Sequence, residues 1–470
     1  MSKNSVNKDN NEQQLNKMGT QPVKKLLITM GLPMIISMAV QAVYNIVDSY
    51  FVSQMEGLGD AAMNAMTLAF PVQMLMVAIG VGTGVGLNSL LSKSLGEGNK
   101  EKAAKISGNS IFLGICTFVV FLIFGFVGVN FYISTQTKDP LISDLACTYL
   151  RICTCLSLGV TMYMTFEKLL QATGKTMQAT IAQLVGAVVN IILDPIMIFG
   201  WCGLPEMGIS GAAYATVIGQ FVSFIMDAVF HFKYNKAEFS TSLKYIKPVG
   251  QIIKQIYMVG VPAILMQALM SFMTYGVNII FAAVSTEAVT AYGVYYKIQQ
   301  FVFFAAFGMN NAMIPIIAFN YGMGDKRRVK DSIKYGMIDT LVIMFIGAVG
   351  LQVFAEPLIG IFSMSEATNT LCIRAIRIIT LGYLFVGANI AYQGIFQALG
   401  YGVHSLIVSA IRLLIGALPI AWILVRVAQD WIWAAFPIAE AIAFVAAVFM
   451  MRSVNRRTVN KISANQPSAE

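Results

Sequence analysis

The chain has 470 residues, 57% of them hydrophobic and 12% charged, with a formal net charge of +9 and a mean hydropathy of +0.69. A soluble globular domain carries roughly twice that charged fraction, so the composition excludes a water-soluble enzyme or carrier. The basic residues sit in short loops flanking apolar runs, which argues against a nucleic-acid partner and for a lipid bilayer.

The first stretch, "MSKNSVNKDNNEQQLNKMGT", is polar and lacks a short apolar core with a cleavage site. It reads as a disordered cytoplasmic tail (1–23) with no removable signal peptide. Apolar runs of about 20 residues then recur, the length a helix needs to cross the hydrocarbon layer. Spans are predicted at 24–52, 62–91, 107–133, 145–170, 177–199, 210–232, 254–283, 288–320, 335–360, 371–398, 404–426 and 431–452. The connections after the second, sixth and eighth are basic: "SKSLGEGNKEKAAK", "HFKYNKAEFSTSLKYIKPVGQIIK" and "GMGDKRRVKDSIK". Lys138 and Arg426 fall on the opposite side. The asymmetry predicts that both termini are cytoplasmic. Six scattered cysteines read as small buried hydrophobes. Cys153 and Cys155, two apart on a helix, point to different sides and make a poor metal pair.

The chain repeats itself. "LLQATGKT" at 169–176 matches "IFQALGYG" at 395–402, and the same 226-residue offset aligns "GEGNKEKA" at 96–103 with "GMGDKRRV" at 322–329. "GLPMII" at 31–36 resembles "GVPAIL" at 260–265. The expected fold is all-α and polytopic: twelve transmembrane helices in two pseudo-symmetric six-helix bundles of the same orientation. The N-lobe spans 24–232, a cytoplasmic linker 233–253, the C-lobe 254–452 and a second tail 453–470. Parallel repeats of this kind are a common transporter plan, with the substrate path between the halves.

Two carboxylates stand out in these spans. Asp194 in "VVNIILDPIMIFG" aligns with Ile420 of the second repeat, and Asp48 in "QAVYNIVDSYF" aligns with Val277. A purely architectural requirement would have marked both halves, and intramembrane acids are functional by default. Asp48 lies 23 residues beyond Lys25, roughly 35 Å of helix, and Asp194 lies 18 residues beyond Thr176, roughly 27 Å. Both are predicted in the outer half of the membrane, where Thr216 in "GAAYAT" opens the sixth span. Asn190 and Asp194 are one turn apart, as are Tyr44 and Asp48, with Gln41 a further turn back. Pro195 has no N–H, so the Ile191 carbonyl loses its helical partner. Carboxylates, an amide, a hydroxyl and a freed carbonyl suit a small hard cation or a shared proton.

Other motifs carry less. Among the intramembrane bases Arg151, Lys297, Arg374, Arg377 and Arg412, Lys297 is the deepest and the best substrate-path candidate. Glu167 is expected in a structural or gating role, and Glu440, Glu356 and Asp339 read as isolated. The 28 methionines and 30 phenylalanines are compatible with an adaptable apolar pocket. "GLGD" at 57–60 and "GMGD" at 322–325 resemble an aspartyl-protease pattern, but they fall in loops on opposite sides. They read as turns, and no enzyme is expected. "GVGTGVG" at 80–86 lies within a span, without the strand or the Lys-Ser/Thr of a phosphate loop, and reads as close helix packing rather than an ATP site.

Pro33 with "YNIVDSYF", "NIILDP" in the fifth span and "GAAYAT" opening the sixth, set in twelve spans with a repeated basic loop, resemble the multidrug and toxic compound extrusion (MATE) family. The resemblance covers nearly the whole chain. It implies that Asp48, Asn190, Asp194 and Thr216 bind H⁺ or Na⁺, with Tyr44 beside them, and that the first helix bends at Pro33. Some relatives carry a glutamate in the seventh span where this chain has Met270, with Gln267 one turn earlier, so the branch resembled is the prokaryotic one without a C-lobe carboxylate. The implied function is export of bulky, amphipathic, often cationic compounds across the prokaryotic cytoplasmic membrane, by a monomer, in exchange for inward H⁺ or Na⁺. No cofactor beyond the coupling ion is implied, and no ATP. Gln41, Lys297 and Met270 are candidates for the substrate path. The alternative is a flippase for a lipid-linked precursor built on the same two-lobe plan.

Overall fold

The computed structural model describes residues 16–362 and 364–462. Twelve long apolar helices account for most of them: α1 (Val23–Ser53), α2 (Gly59–Gly96), α3 (Lys100–Val127), α4, α5 (Thr176–Ile198), α6 (Ile209–Tyr234), α7 (Gly250–Ala282), α8 (Thr286–Met323), α9 (Lys326–Gly360), α10 (Glu366–Ala398), α11 (Gly402–Val427) and α12 (Ala435–Arg457). Helix α4 is bent by 45° between Pro140–Cys155 and Leu158–Ala172, and its halves are long and apolar enough to cross a membrane only when taken together, which makes eleven spans, or twelve with this bent pair. Length and composition make this a multi-pass membrane protein. Side chains set the helix boundaries. Asn99, Asp139, Ser285, Asp325 and Ser365 each cap an N-terminus by accepting from a backbone N–H in the first turn. Asp325 of the "GMGD" motif is thus a helix cap.

The sequence repeat is a structural repeat down to single hydrogen bonds. Gly98 and Gly324, 226 residues apart, both adopt positive φ (70° and 76°), as do Gly174 and Gly400 (80° and 85°). Lys175 N–H donates to the Leu170 carbonyl at 2.8 Å, and Tyr401 N–H donates to the Phe396 carbonyl at 2.7 Å. This six-to-one closure requires a left-handed residue just past the helix end, and glycine reaches that conformation without a Cβ clash. The same offset relates the Asn99 cap on Lys102 N–H to the Asp325 cap on Arg328 N–H.

Helices α1–α6 pack together and α7–α12 pack together, and the two groups meet where α1 and α2 lie against α7 and α8. The seam is made by glycines. A Cβ on Gly82 would run into Ile264 and the Gly260 carbonyl, one on Gly86 into the Ile256 carbonyl, and one on Gly96 into the Phe319 carbonyl. The intervening Gly80 and Gly84 face the other way, against Met164 and Lys168 of α4. "GVGTGVG" is therefore a two-sided packing stripe that lets α2 approach α7 and α4 at once.

All of these seam contacts lie in the half of the bundle that carries the basic loops. There Arg328 donates to the carbonyls of Met18 and Gln21, at 2.8 Å each, and Ser89 donates to the Gln397 carbonyl at 2.8 Å. Among the described residues no hydrogen bond joins the two groups nearer the opposite end than that of Ser89. Along the same helix faces, two or three turns further on, Ile46, Leu75, Tyr275 and Phe301 are 59%, 53%, 69% and 53% exposed. The molecule is shut at its basic end and parted at the other, leaving an apolar, aromatic-lined cleft between the groups.

The second group also holds a buried ion pair. Arg412 Nε donates to Glu440 Oε2 at 2.8 Å, and Asn389 Nδ2 donates to the same oxygen at 2.7 Å. Glu440 is thus not isolated, and neither is Glu356, which pairs with Arg377 at 3.2 Å on the exposed surface. Arg412 stays inside the bundle because Glu440 neutralises it there. Replacing one member of such a pair strands the other charge, at a cost of about 3–5 kcal/mol. Arg412→Met is therefore expected to lower the thermal unfolding midpoint in detergent, and adding Glu440→Leu should recover most of the loss.

Candidate cation-binding site

The two acids converge within the first helix group. Helix α5 packs antiparallel on α6, with Gly219 of α6 so close to α5 that a Cβ there would stand 3.0 Å from that of Asn190. Thr216, one turn earlier on α6, faces the same region. Helix α1 packs on α5, and Ser37 Oγ donates to Thr180 Oγ1 across that contact at 2.9 Å. Ser37, Gln41, Tyr44 and Asp48 recur at helical spacing, so the face anchored by Ser37 carries Asp48 to the level of Asp194. Asp48 and Asp194 lie within electrostatic reach of each other, and Tyr44 lies within reach of both.

The site is buried and short of donors. Asp48, Asn190 and Asp194 are 7%, 3% and 0% exposed. Asn190 Nδ2 donates to Asp194 Oδ1 at 3.2 Å, the one internal hydrogen bond of the group. Four buried oxygens are left without a partner: Asp48 Oδ1, Asn190 Oδ1, Asp194 Oδ2 and Thr216 Oγ1. They belong to the four residues singled out in the sequence and come from three helices. An unpartnered buried acceptor costs about 1–3 kcal/mol, more for a charged one, so the set of four favours a proton or a positive charge among them. The donor set is all oxygen, two acids with an amide and a hydroxyl, which fits a proton or a small hard cation. It does not fit a transition metal, and among the described residues no cluster of three His, Cys, Asp or Glu could hold one.

The remaining sequence candidates are spread around this centre. Pro33 and Pro195 are buried within α1 and α5, and α1 is helical throughout, passing Pro33 without a break. Gln41 and Met270 are partly buried. Lys297 is exposed on α8, three turns from Gly308 on the same face, and Gly308 packs against Ile35 of α1. That phase aims Lys297 at the open part of the seam. The other bases are engaged: Arg374 with Asp430 at 2.9 Å, Arg377 with Glu356, Arg412 with Glu440, and Arg151 with Asn130 at 2.7 Å.

Sequence reasoning missed part of the surroundings. Tyr149 and Cys153 of α4 both lie within electrostatic reach of Asp48, and Gln73 of α2 hydrogen-bonds to each of them. The signal available was weak, a glutamine in an apolar span and a tyrosine one turn before a cysteine, and nothing in the linear order tied α4 to α1.

Comparisons with known proteins agree with this fold. Residues 33–196 and 262–423 match the MatE family profile, one match in each helix group and together more than half of the chain. The chain is 26% identical over 443 residues to Multidrug export protein MepA of Staphylococcus aureus (strain MRSA252), covering 94% of this chain and 96% of that one. It is likewise 26% identical over 446 residues to the protein of the same name in Staphylococcus haemolyticus (strain JCSC1435), covering 93% and 96%. Its fold matches the outward-facing conformation of a multidrug resistance MATE family transporter with a TM-score of 0.87, over 96% of this chain and 98% of that one, at 24% identity. With twelve spans in two repeated groups and the family profile matched in both, the chain belongs to the MATE (multidrug and toxic compound extrusion) family of membrane transporters.

Proposed function

We propose that the protein is a secondary active multidrug antiporter that exports bulky amphipathic, often cationic compounds in exchange for inward H⁺ or Na⁺. The observation that carries this reading is the set of four unpartnered buried oxygens on Asp48, Asn190, Asp194 and Thr216. In this reading residues 24–232 form the coupling lobe, 254–452 the second lobe and 233–253 the cytoplasmic linker, in a protein that works as a monomer. The basic end is the cytoplasmic one, because Lys and Arg favour that side. The cleft then opens outward, which suits release of a compound to the outside and capture of an ion from it.

A cation held between Asp48 and Asp194 removes the repulsion between two carboxylates on α1 and α5 and draws the helices together. Loss of the cation restores the repulsion, and α1 has a natural bending point at Pro33, where a backbone hydrogen bond is missing. The ion and the compound thus bias α1 in opposite directions, and linkage requires each to weaken the other's binding by the same factor. Shifting a two-state protein from 1:99 to 99:1 takes about 5.5 kcal/mol of differential binding. A proton gradient of one unit contributes about 1.4 kcal/mol, and the membrane potential about 2.3 kcal/mol per charge per 100 mV. For a monocationic compound exchanged one for one the potential term cancels, and the chemical gradient alone drives export.

The aromatic cleft with Lys297 at its margin, and Gln41 and Met270 nearby, is the proposed substrate path. A flippase for an anionic lipid-linked precursor needs a basic cavity, and pairing of Arg374, Arg377 and Arg412 removes three of the four bases available to build one.

Two experiments test this reading. In a background without the native cysteines, single cysteines at Asn99 and Ala237 should label only from the cytoplasmic side and one at Thr137 only from outside. Ser463 is a further cytoplasmic position, beyond the described residues. Outside labelling at Ala237 would invert the topology. In liposomes, with H⁺ and Na⁺ gradients imposed separately, Asp194→Asn and Asp48→Asn should each leave the fold intact and cut gradient-driven transport of a fluorescent lipophilic cation about tenfold or more, since about 1.4 kcal/mol of lost coupling suffices. Full ion-driven transport by Asp194→Asn, or no response of the parent to either ion, would leave the antiporter reading untenable and favour the flippase.

A further inference from the structure

The first helix group contains another buried acid that the site above does not use. Asp227, on α6, is 0% exposed, and among the described residues neither of its carboxylate oxygens meets a hydrogen-bond partner. It lies 11 residues from Thr216 toward the basic end, roughly 16 Å along the helix.

Asp227 belongs to a polar path that starts at the cation site. On α6 and at its C-cap, Thr216, Ser223, Asp227, His231 and Asn235 follow one another at spacings of one or two turns and so share a face. Ser223 Oγ donates to the Ala182 carbonyl of α5 at 3.2 Å. On α4, which packs against α6, Tyr163, Glu167 and Gln171 recur at four-residue spacing, and Gln171 Nε2 donates to Glu167 Oε1 at 2.7 Å. Glu167 and Asp227 are within electrostatic reach of each other, and Tyr163 is within reach of both and of Tyr44. At the basic end, His231 Nδ1 lies 2.9 Å from Asn235 Nδ2, and Asn235 Oδ1 accepts from Thr173 Oγ1 at 2.8 Å. A trail of polar groups therefore links Asp48 and Asp194, through Tyr44 and Tyr163, to Glu167 and Asp227 and on to the helix ends.

Architecture alone does not account for these acids. Lys168, beside Glu167 in the chain, donates instead to Gln171 Oε1 at 2.8 Å, and among the described residues neither Glu167 nor Asp227 makes a salt bridge. At the 226-residue offset the second group has Gln393 and Ser453 in place of Glu167 and Asp227, and Gln393 is satisfied by Ser409 at 2.8 Å. The second group does without a charge at both positions. A fully buried carboxylate without a donor calls for a cation of its own.

We propose that Asp227 and Glu167 form a second cation station, through which the coupling ion bound at Asp48 and Asp194 leaves the lobe toward the cytoplasm, with Tyr163 as the positioning residue between the two stations. The proposal rests on the antiporter reading. The ligand is the coupling ion itself, H⁺ or Na⁺. The station gives the ion an exit that stays within the first lobe, separate from the seam through which the compound moves. Ion release then does not require the seam to open to the cytoplasm for both ligands at once.

The test compares two transport modes of full-length protein in liposomes. Substrate–substrate exchange of a fluorescent lipophilic cation needs no ion release, whereas gradient-driven net transport does. For Asp227→Asn, substrate affinity, its shift by the coupling ion, and exchange should stay within about twofold of the parent, while driven transport slows about tenfold or more. The slowing should appear only in the arm, H⁺ or Na⁺, that drives the parent. Glu167→Gln should act in the same direction, and Asp227→Glu should recover a substantial part of the rate. If exchange and driven transport fall together in both neutralised variants, the acids serve the framework and the proposal is wrong. It is equally wrong if driven transport is untouched. Should Asp227→Asn fail to fold, the same two assays on Glu167→Gln decide. A parent that responds to neither ion refutes the antiporter reading itself, an outcome visible before any variant is examined.

Discussion

Inside the hydrocarbon layer no water completes the hydrogen bonding of a polar group. Each carboxylate, amide or hydroxyl placed there must find its partner in the protein or receive one from outside. The two halves of this chain answer that constraint differently. In the second half the buried charges meet each other: Arg412 neutralises Glu440, and Asn389 donates to the same carboxylate, across α10, α11 and α12. The first half leaves Asp48, Asp194 and Asp227 without a basic partner, and the proposed cation binding rests on that deficit. The two repeats thus differ in how their buried charges are matched.

The second determinant is how closely the halves can approach. Glycines on α2 bring its backbone against carbonyls of α7 and α8, and the resulting contact is dense and confined to the basic end. Close packing of this sort gains dispersion energy that hydrophobic burial cannot supply in lipid. Its abrupt end beyond Gly82 and Gly308 is what leaves Ile46, Leu75, Tyr275 and Phe301 facing open space. Flexible and aromatic side chains on such a surface suit compounds of varied shape.

Helix α1 joins these two features, and the proposed coupling runs through it. That helix touches the cation-site residues of α5 on one face and the seam residues of α8 on the other. Asp48 and Ile35 are thirteen residues apart on a single helix, so in the proposed mechanism a change of charge at Asp48 acts on the seam through that helix. Rigid helices transmit displacement well, and a proline near the seam localises the bending.

Much of this was legible in the linear chain. The twelve spans follow from hydropathy alone, because a helix in lipid needs a long apolar run and the sequence has little freedom to disguise one. The repeat was visible because the turns that close α2, α4, α8 and α10 share a glycine whose conformation no other residue adopts so readily. Asp48, Asn190, Asp194 and Thr216 could be picked out because a charge in an apolar run is conspicuous and helical periodicity places its neighbours. Three things required the folded structure. Glu440 and Glu356 look isolated in the sequence and are paired in space, since their partners lie 28 and 21 residues away on other helices. Tyr149, Cys153 and Gln73 come near Asp48 only because α4 packs against α2. Asp227 became significant only when its burial and its lack of partners were seen together. Periodicity reports which face of a helix a residue occupies, whereas the packing of helices far apart in the chain decides what that face meets.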